Sequence, residues 1–234
     1  MFTINRNGEL DVKKLGKQLA LLLTVCVMAT CIAGCTGSFD ATTFVKGSID
    51  SLYLGVFDKE YLDIVVDTEE ELVQGYEEGL QVEADYFFSY FDIIGDAVDP
   101  NMKSEVVEIY REIYSKSKYE VGNSTKSKDS YLVSVTIYPM DIMQKIQDEE
   151  FDGFVEVWSD REEYGYFDDM TDEEYETAWA REIIDMTKNR INSIGYLDPQ
   201  TISVQVVVDT IDGEEYYTIS ENDALRIDEL IIKY

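Results

Sequence analysis

The sequence predicts an α+β fold, in which two hairpins join in one antiparallel sheet and several helices pack against it. Apolar residues recur at helical spacing over 45–56, 72–91 and 106–114. They alternate with a period of two over 131–137 and 202–208, which is typical of strands with one buried face. Hydrophobic residues make up 45% of the 234 residues, enough for a sizeable core. We therefore expect a single compact domain after an N-terminal signal segment.

Four helices are predicted before residue 115. The first begins at Ala41, and a short second helix begins at Asp58. Thr68 to Glu71 form a capping box that starts a long third helix. The pair Asp99-Pro100, an N-cap followed by proline, starts the fourth. Their apolar stripes are Val45, Ile49, Leu52, Tyr53 and Val56; Tyr61, Leu62 and Val65; Leu72, Tyr76, Leu80, Ala84, Phe87 and Phe91; and Val106, Ile109, Tyr110, Ile113 and Tyr114.

The rest of the chain alternates hairpins with helices. A polar loop, 122–130, is predicted to join the strands Tyr119–Val121 and Tyr131–Tyr138. A second capping box, Thr171 to Glu174, starts a helix that Gly195 should stop. The remaining signals are helical spacing at Ile142, Ile146, Phe154, Val157 and Trp158, strand alternation at Ile202, Val204, Val206 and Val208, a turn at Asp212 and Gly213, a returning strand at Tyr217 and Ile219, and a helix N-cap at Ser220.

The charge of the chain excludes one large class of functions. From Cys35 onward there are 47 acidic and 15 basic residues, so this part would repel the phosphates of a nucleic acid. The same charge steers basic partners towards the protein. We therefore predict no nucleic-acid partner.

The chain also lacks the residues of several common sites. There are no histidines, and the three cysteines are Cys26, Cys31 and Cys35. A chain that begins at Cys35 then holds one thiol, which excludes a disulfide framework, a zinc site and a histidine-based triad. The spacing of the acidic residues does not match an EF-hand calcium loop. We predict no cofactor and no metal site.

The first 34 residues have the layout of a secretory signal. Lys13, Lys14 and Lys17 precede an apolar run from Leu19 to Ile32, which small residues follow. A run of about 14 residues is short for a membrane span, which needs about 20. This layout also fits an ordinary cleaved signal or an uncleaved anchor helix.

The end of this segment, Ile32-Ala33-Gly34-Cys35, resembles the lipobox of bacterial lipoprotein precursors. The resemblance implies that a peptidase recognises Ile32, Ala33 and Gly34 and cleaves before Cys35, whose thiol carries the lipid, with palmitate among the acyl chains. It also implies a position on the extracellular face of the bacterial cell membrane. Residues 35–40 would be a short tether and residues 41–234 the acidic α+β domain.

Two further stretches are similar to the nuclear-transport-factor-2-like superfamily, whose fold is a curved sheet around a pocket. They are Phe44 to Val66, a helix followed by a glycine and a short helix, and Val204 to Ile219, a closing hairpin. The two helices between the predicted hairpins depart from the usual order of that family. The resemblance carries no catalytic residue.

Two kinds of function remain open. Trp158, Tyr164, Tyr166, Asp168 and Asp169 combine aromatic rings with carboxylates, as sites for sugars or cationic ligands do, although a surface loop with aromatic residues packed on the core explains them as well. We predict a non-catalytic module that binds an unknown small ligand or protein. The alternative is a cell-envelope hydrolase that acts on glycans with a pair of carboxylates. A buried polar pocket with two carboxylates in unlike environments would favour the hydrolase.

Overall fold

In the computed structural model, which describes residues 29–31, 39–128, 130–211 and 214–234, helices cover one face of an antiparallel sheet. The predicted α+β class is confirmed. Hairpin β2–β3 pairs with hairpin β4–β5 through β3 and β4, for example Val133 opposite Val204. The sheet has the order β1-β5-β4-β3-β2, with strands β1 (Ala29–Cys31), β2 (Lys118–Ser127), β3 (Ser130–Tyr138), β4 (Gln200–Ile211) and β5 (Glu214–Ile219).

The helices fill the intervals between these strands. Their bounds are α1 (Ala41–Ile49, continued by a π-helical turn at Asp50–Leu54), α2 (Lys59–Leu62), α3 (Glu69–Tyr90), α4 (Pro100–Tyr114), α5 (Ile142–Ile146, with a π-helical turn at Gln147–Phe151), α6 (Asp152–Glu163), α7 (Asp172–Ile191) and α8 (Glu221–Ile231). A 3₁₀ turn at Gly95–Ala97 lies between α3 and α4. None of the described helices is long and apolar enough to cross a membrane.

The core lies between the helices and one face of the sheet. The inward side chains of β3 and β4, Val133, Val135, Val204 and Val206, are buried, and the residues between them face solvent. All six residues of the predicted stripe of α3 are buried as well. Both predicted capping boxes are present.

The predicted loop at 122–130 is wrong. Strand β2 continues to Ser127, with an irregular register between Val121 and Ser124. Its polar side chains suit an edge strand that faces water, because the pairing with β3 satisfies the backbone whatever the side chains are. The backbone amide of Ser124 also donates to the Thr42 hydroxyl at 3.0 Å, which brings α1 against this edge.

Two predicted helix ends shift in the structure. Gly55, with φ 62°, ends the π-helical turn, so Val56 lies beyond the helix and is 42% exposed. Helix α7 ends at Ile191 rather than at Gly195. The Gly195 amide instead donates to the Asp141 carboxylate at 2.8 Å, and so joins the chain before β4 to the start of α5.

Some predictions fall outside the described residues. These are the lipobox residues Ile32, Ala33, Gly34 and Cys35, and the turn residues Asp212 and Gly213. Strand β1, which lies inside the predicted signal segment, pairs antiparallel with β5 from Ala29 opposite Tyr217 to Cys31 opposite Glu215.

Candidate functional site

Two acidic residues lie in the protein interior where helices α3 and α8 meet the core. Glu83 occupies an inward position of α3, because Leu80, Ala84 and Phe87 share its face at helical spacing. Glu83 is only 7% exposed. Asp228 of α8 is half-buried and follows Ile227 on the buried face of its helix. Each carboxylate therefore replaces an apolar residue in a buried stripe.

Tyrosine hydroxyls surround the two carboxylates. Tyr114 and Tyr234 interact with Glu83 and favour its ionised form. Tyr53 donates to Asp228 at 3.2 Å, and the hydroxyls of Tyr110 and Tyr234 are 2.7 Å apart. We call this group the acid–tyrosine cluster; it consists of Glu83, Asp228, Tyr53, Tyr86, Tyr110, Tyr114 and Tyr234.

Burial changes the ionisation of this cluster. It raises the pKa of Glu83 from 4.5 to about 7, against the lowering effect of Tyr114 and Tyr234. Burial, followed by the charge on Glu83, holds the pKa of Asp228 well above its usual value. The tyrosine pKa values rise as well, since burial and nearby carboxylates both disfavour a phenolate. Burial therefore favours the neutral form of both carboxylic acids, and the phenols stay neutral donors.

Part of the acid–tyrosine cluster is closed to solvent, whereas Tyr86, Asp228 and Tyr234 are half-buried. Tyr53, Tyr110 and Tyr114 are between 0% and 4% exposed. An apolar recess of about 10 Å³ adjoins Tyr53 and has room for about one water molecule. Glu83 and Asp228 do not line this recess. The two carboxylates have environments suited to acid–base chemistry, but this recess gives no substrate a route to them.

A second candidate site lies at the connection between α6 and α7. Helix α6 ends in a Schellman motif, in which Gly165 has φ 72°. The Tyr166 amide donates to the Arg161 carbonyl at 2.9 Å, and the Gly165 amide donates to the Glu162 carbonyl at 3.0 Å. A capping box at Thr171 then starts α7. The connection is thus held by backbone hydrogen bonds at both ends.

Stacked aromatic rings support this connection from below. Phe167 is buried and stacks on Trp158, with ring centroids 4.5 Å apart and planes 26° from parallel. The Trp158 indole donates to the Tyr175 hydroxyl at 2.8 Å. The Trp179 indole donates to the Phe91 carbonyl at 3.0 Å and joins this layer to the body of the protein.

Two tyrosines project from the same connection into solvent. Tyr164 is 87% exposed and Tyr166 is 66% exposed. Asp168 and Asp169, which follow them, are also exposed. The structure therefore brings four of the five predicted contact residues together at one end of the α6–α7 hairpin. We call residues 160–174 the aromatic tip.

Trp158 is the predicted contact residue that the structure places elsewhere. It is 4% exposed and lies under Phe167, so its role is to support the aromatic tip rather than to touch a ligand. The reason is its position on α6, one turn after Phe154 on the inward side, where the two rings pack at 5.4 Å. Within the described residues, no group of three or more acidic or cysteine side chains is arranged to hold a metal ion.

Sequence reasoning did not single out Glu83 and Asp228, although a signal was present. Glu83 lies at the spacing i, i+3, i+4, i+7 with Leu80, Ala84 and Phe87, and Asp228 has the same relation to Ala224, Ile227 and Ile231. An acidic residue inside an apolar stripe marks a buried carboxylate. With so many acids in the chain, only the stripe distinguishes these two from the solvated majority.

Comparison with known proteins supports the fold. No protein-family model matches the chain, and no curated protein matches it. Among solved structures it is similar to the crystal structure of a "putative lipoprotein", YcdA, from Bacillus subtilis subsp. subtilis str. 168. The two share 17% sequence identity with a TM-score of 0.54, over 83% of this chain. The match spans 56% of the length of that structure.

Proposed function

We propose that the protein is a lipid-anchored lipoprotein of the bacterial cell envelope that binds a ligand or protein through the aromatic tip and has no catalytic activity. The anchor is supported by the resemblance of Ile32-Ala33-Gly34-Cys35 to a lipobox. The description of the structurally similar Bacillus subtilis protein as a "putative lipoprotein" agrees with it. The membrane is then the first partner, through lipid on Cys35.

Only a short segment of chain joins Cys35 to the first packed residue of the described domain. Phe39 stacks on Tyr217 of β5 with ring centroids 3.6 Å apart, and it contacts Tyr131 of β3 edge-on at 5.4 Å. Three residues lie between Cys35 and Phe39, and the four Cα-to-Cα steps from one to the other span at most about 14 Å. The lipid would therefore hold the domain close to the membrane, beside the sheet.

The observation that carries the binding function is the exposure of Tyr164 and Tyr166 on a rigid support. Large aromatic side chains dominate the energetics of protein interfaces, and an exposed pair in a fixed geometry loses little entropy on binding. Phe167 stacks on Trp158 below the tip and contacts the Tyr166 ring edge-on at 5.1 Å. A solvated surface loop does not need such a support.

Site-specific photo-crosslinking in intact cells tests this function. We expect p-benzoylphenylalanine at Tyr164 to form a discrete covalent adduct on illumination. The same photoreactive residue at Glu70 is the matched control, because Glu70 is exposed in the first turn of α3 after an equivalent capping box. Equal adducts at both positions, or none at Tyr164, would refute binding through the tip.

A glycan-directed hydrolase is the second candidate, and the acid–tyrosine cluster favours it. Glu83 and Asp228 have raised pKa values, as a general acid requires. Its test is turnover of cell-wall glycan by the purified protein. Turnover that is lost in both Glu83→Gln and Asp228→Asn would establish the hydrolase and overturn the non-catalytic assignment.

A further inference from the structure

The backbone of the aromatic tip holds its two exposed tyrosines in fixed positions. Tyr164 is the C-cap of α6 and Tyr166 follows Gly165, so the backbone hydrogen bonds of the Schellman motif fix both Cα positions. Tyr166 also contacts Phe167 edge-on at 5.1 Å, which orients its ring. The tip thus offers preorganised aromatic surface rather than a mobile loop.

One of these rings already contacts a cationic side chain of the protein. The Arg161 guanidinium lies 5.7 Å from the centroid of the Tyr166 ring, within the range of a cation–π interaction. The protein itself therefore shows which chemistry the ring accepts. Tyr164, at 87% exposure, has most of its surface open to a guanidinium from outside.

The charges around the rings select the same class of partner. Residues 160–174 contain Arg161 as the one basic residue, and the acidic residues there are Asp160, Glu162, Glu163, Asp168, Asp169, Asp172, Glu173 and Glu174. An anionic partner would be repelled. A neutral sugar can donate hydrogen bonds to the carboxylates, but it gains nothing from their net charge. A cation gains from the carboxylates and from the ring faces together.

We infer that the aromatic tip binds an arginine-rich, extended segment of a partner polypeptide, whose guanidinium groups pack on Tyr164 and Tyr166 and pair with the surrounding carboxylates. Arginine fits better than lysine, because its planar group stacks on a ring and still donates sideways to carboxylates. This inference rests on the proposed binding function and names the partner that the function requires.

The test measures binding of a fluorescent nona-arginine peptide to the lipidated chain in phosphatidylcholine nanodiscs at physiological ionic strength. Tyr164→Ser with Tyr166→Ser removes the rings and keeps every charge. Glu69→Gln with Glu70→Gln is the matched control, since it removes two exposed acids at the equivalent start of α3. Circular dichroism and thermal unfolding check that each variant remains folded.

We expect the tyrosine variant to weaken peptide binding about tenfold and the control variant less than about twofold. Equal weakening by both would mean diffuse attraction to an acidic protein and would overturn the inference. Tighter binding of maltohexaose than of the peptide would overturn it in favour of a sugar site. If the peptide does not bind but Tyr164 still crosslinks to a protein in cells, the partner class is wrong and the binding function stands. If the peptide does not bind and Tyr164 forms no adduct in cells, the partner class and the binding function are both wrong.

Discussion

Replacing Glu83 by glutamine should stabilise the protein at neutral pH and weaken its dependence on pH. Burial raises the pKa of Glu83 from 4.5 to about 7, so the folded protein holds a proton that the unfolded chain releases in this interval. Stability therefore falls as the pH rises from 4.5 to about 7, and the penalty is complete above that range. Glutamine has the same shape and no charge to bury.

The magnitude follows from the same shift. One pKa unit corresponds to about 1.4 kcal/mol, so ionising Glu83 in the folded state costs about 3 kcal/mol at alkaline pH. Glu83 is 7% exposed, and solvent screening therefore reduces this cost little. For a domain of this size the gain in the glutamine variant corresponds to about 6–12 °C in Tm. Below pH 4.5 the two proteins should unfold at similar temperatures.

Urea unfolding of residues 36–234 at several pH values between about 5 and about 8 measures the effect. The matched control is Glu78→Gln on the same helix, where the carboxylate is exposed and accepts a hydrogen bond from Gln74. Acidification also relieves repulsion among the many surface acids, but that effect is the same in all variants. If Glu83→Gln is less stable than wild type at pH 8 and keeps the wild-type pH dependence, the buried carboxylate is not the source and the argument fails.

Three further outcomes are expected. Cys35→Ala should abolish labelling by radioactive palmitate and slow cleavage of the precursor; a mutant that still incorporates palmitate would exclude lipidation at Cys35. Phe167→Ala should cost about 3 kcal/mol or more, since it leaves a cavity against Trp158, and should shift the tryptophan fluorescence to the red; an unchanged spectrum would mean that the stacking is absent. Tyr114→Phe removes a phenol that stabilises ionised Glu83, so the loss of stability should be about 1–2 kcal/mol larger at pH 8 than at pH 5; an equal loss at both values would indicate packing alone.

The sequence predicted the parts of the candidate sites that depend on local chemistry. The acids and rings of 158–169 stand out in the printed chain, and the structure places Tyr164, Tyr166, Asp168 and Asp169 on one exposed tip. The sequence could not show that Trp158 faces inward, because that depends on which side of α6 meets the core. The lipobox residues and their proposed role remain predictions, as does the resemblance to the nuclear-transport-factor-2-like superfamily.

The acid–tyrosine cluster shows the opposite case. Its members come from α1, α3, α4, α8 and the chain after α8, so residues as far apart as Tyr53 and Asp228 meet only in the folded protein. No local pattern in the sequence predicts which tyrosine lies beside which carboxylate. The raised pKa of Glu83 is likewise a property of its surroundings, since burial is its main cause.

What the sequence determined by itself is the α+β class, the helix starts at Thr68 and Thr171, the buried stripes and the absence of histidine. Periodicity, capping and composition act over a few residues, and these features therefore survive in any arrangement of the helices and strands. Tertiary structure alone decided that β2 continues through the polar segment 122–127, that Glu83 and Asp228 meet the same group of tyrosines, and that Tyr164 and Tyr166 are exposed above the packed ring of Phe167. Each of these depends on distant segments packing together, because a strand edge, a buried charge and a supported ring are defined by their neighbours in space.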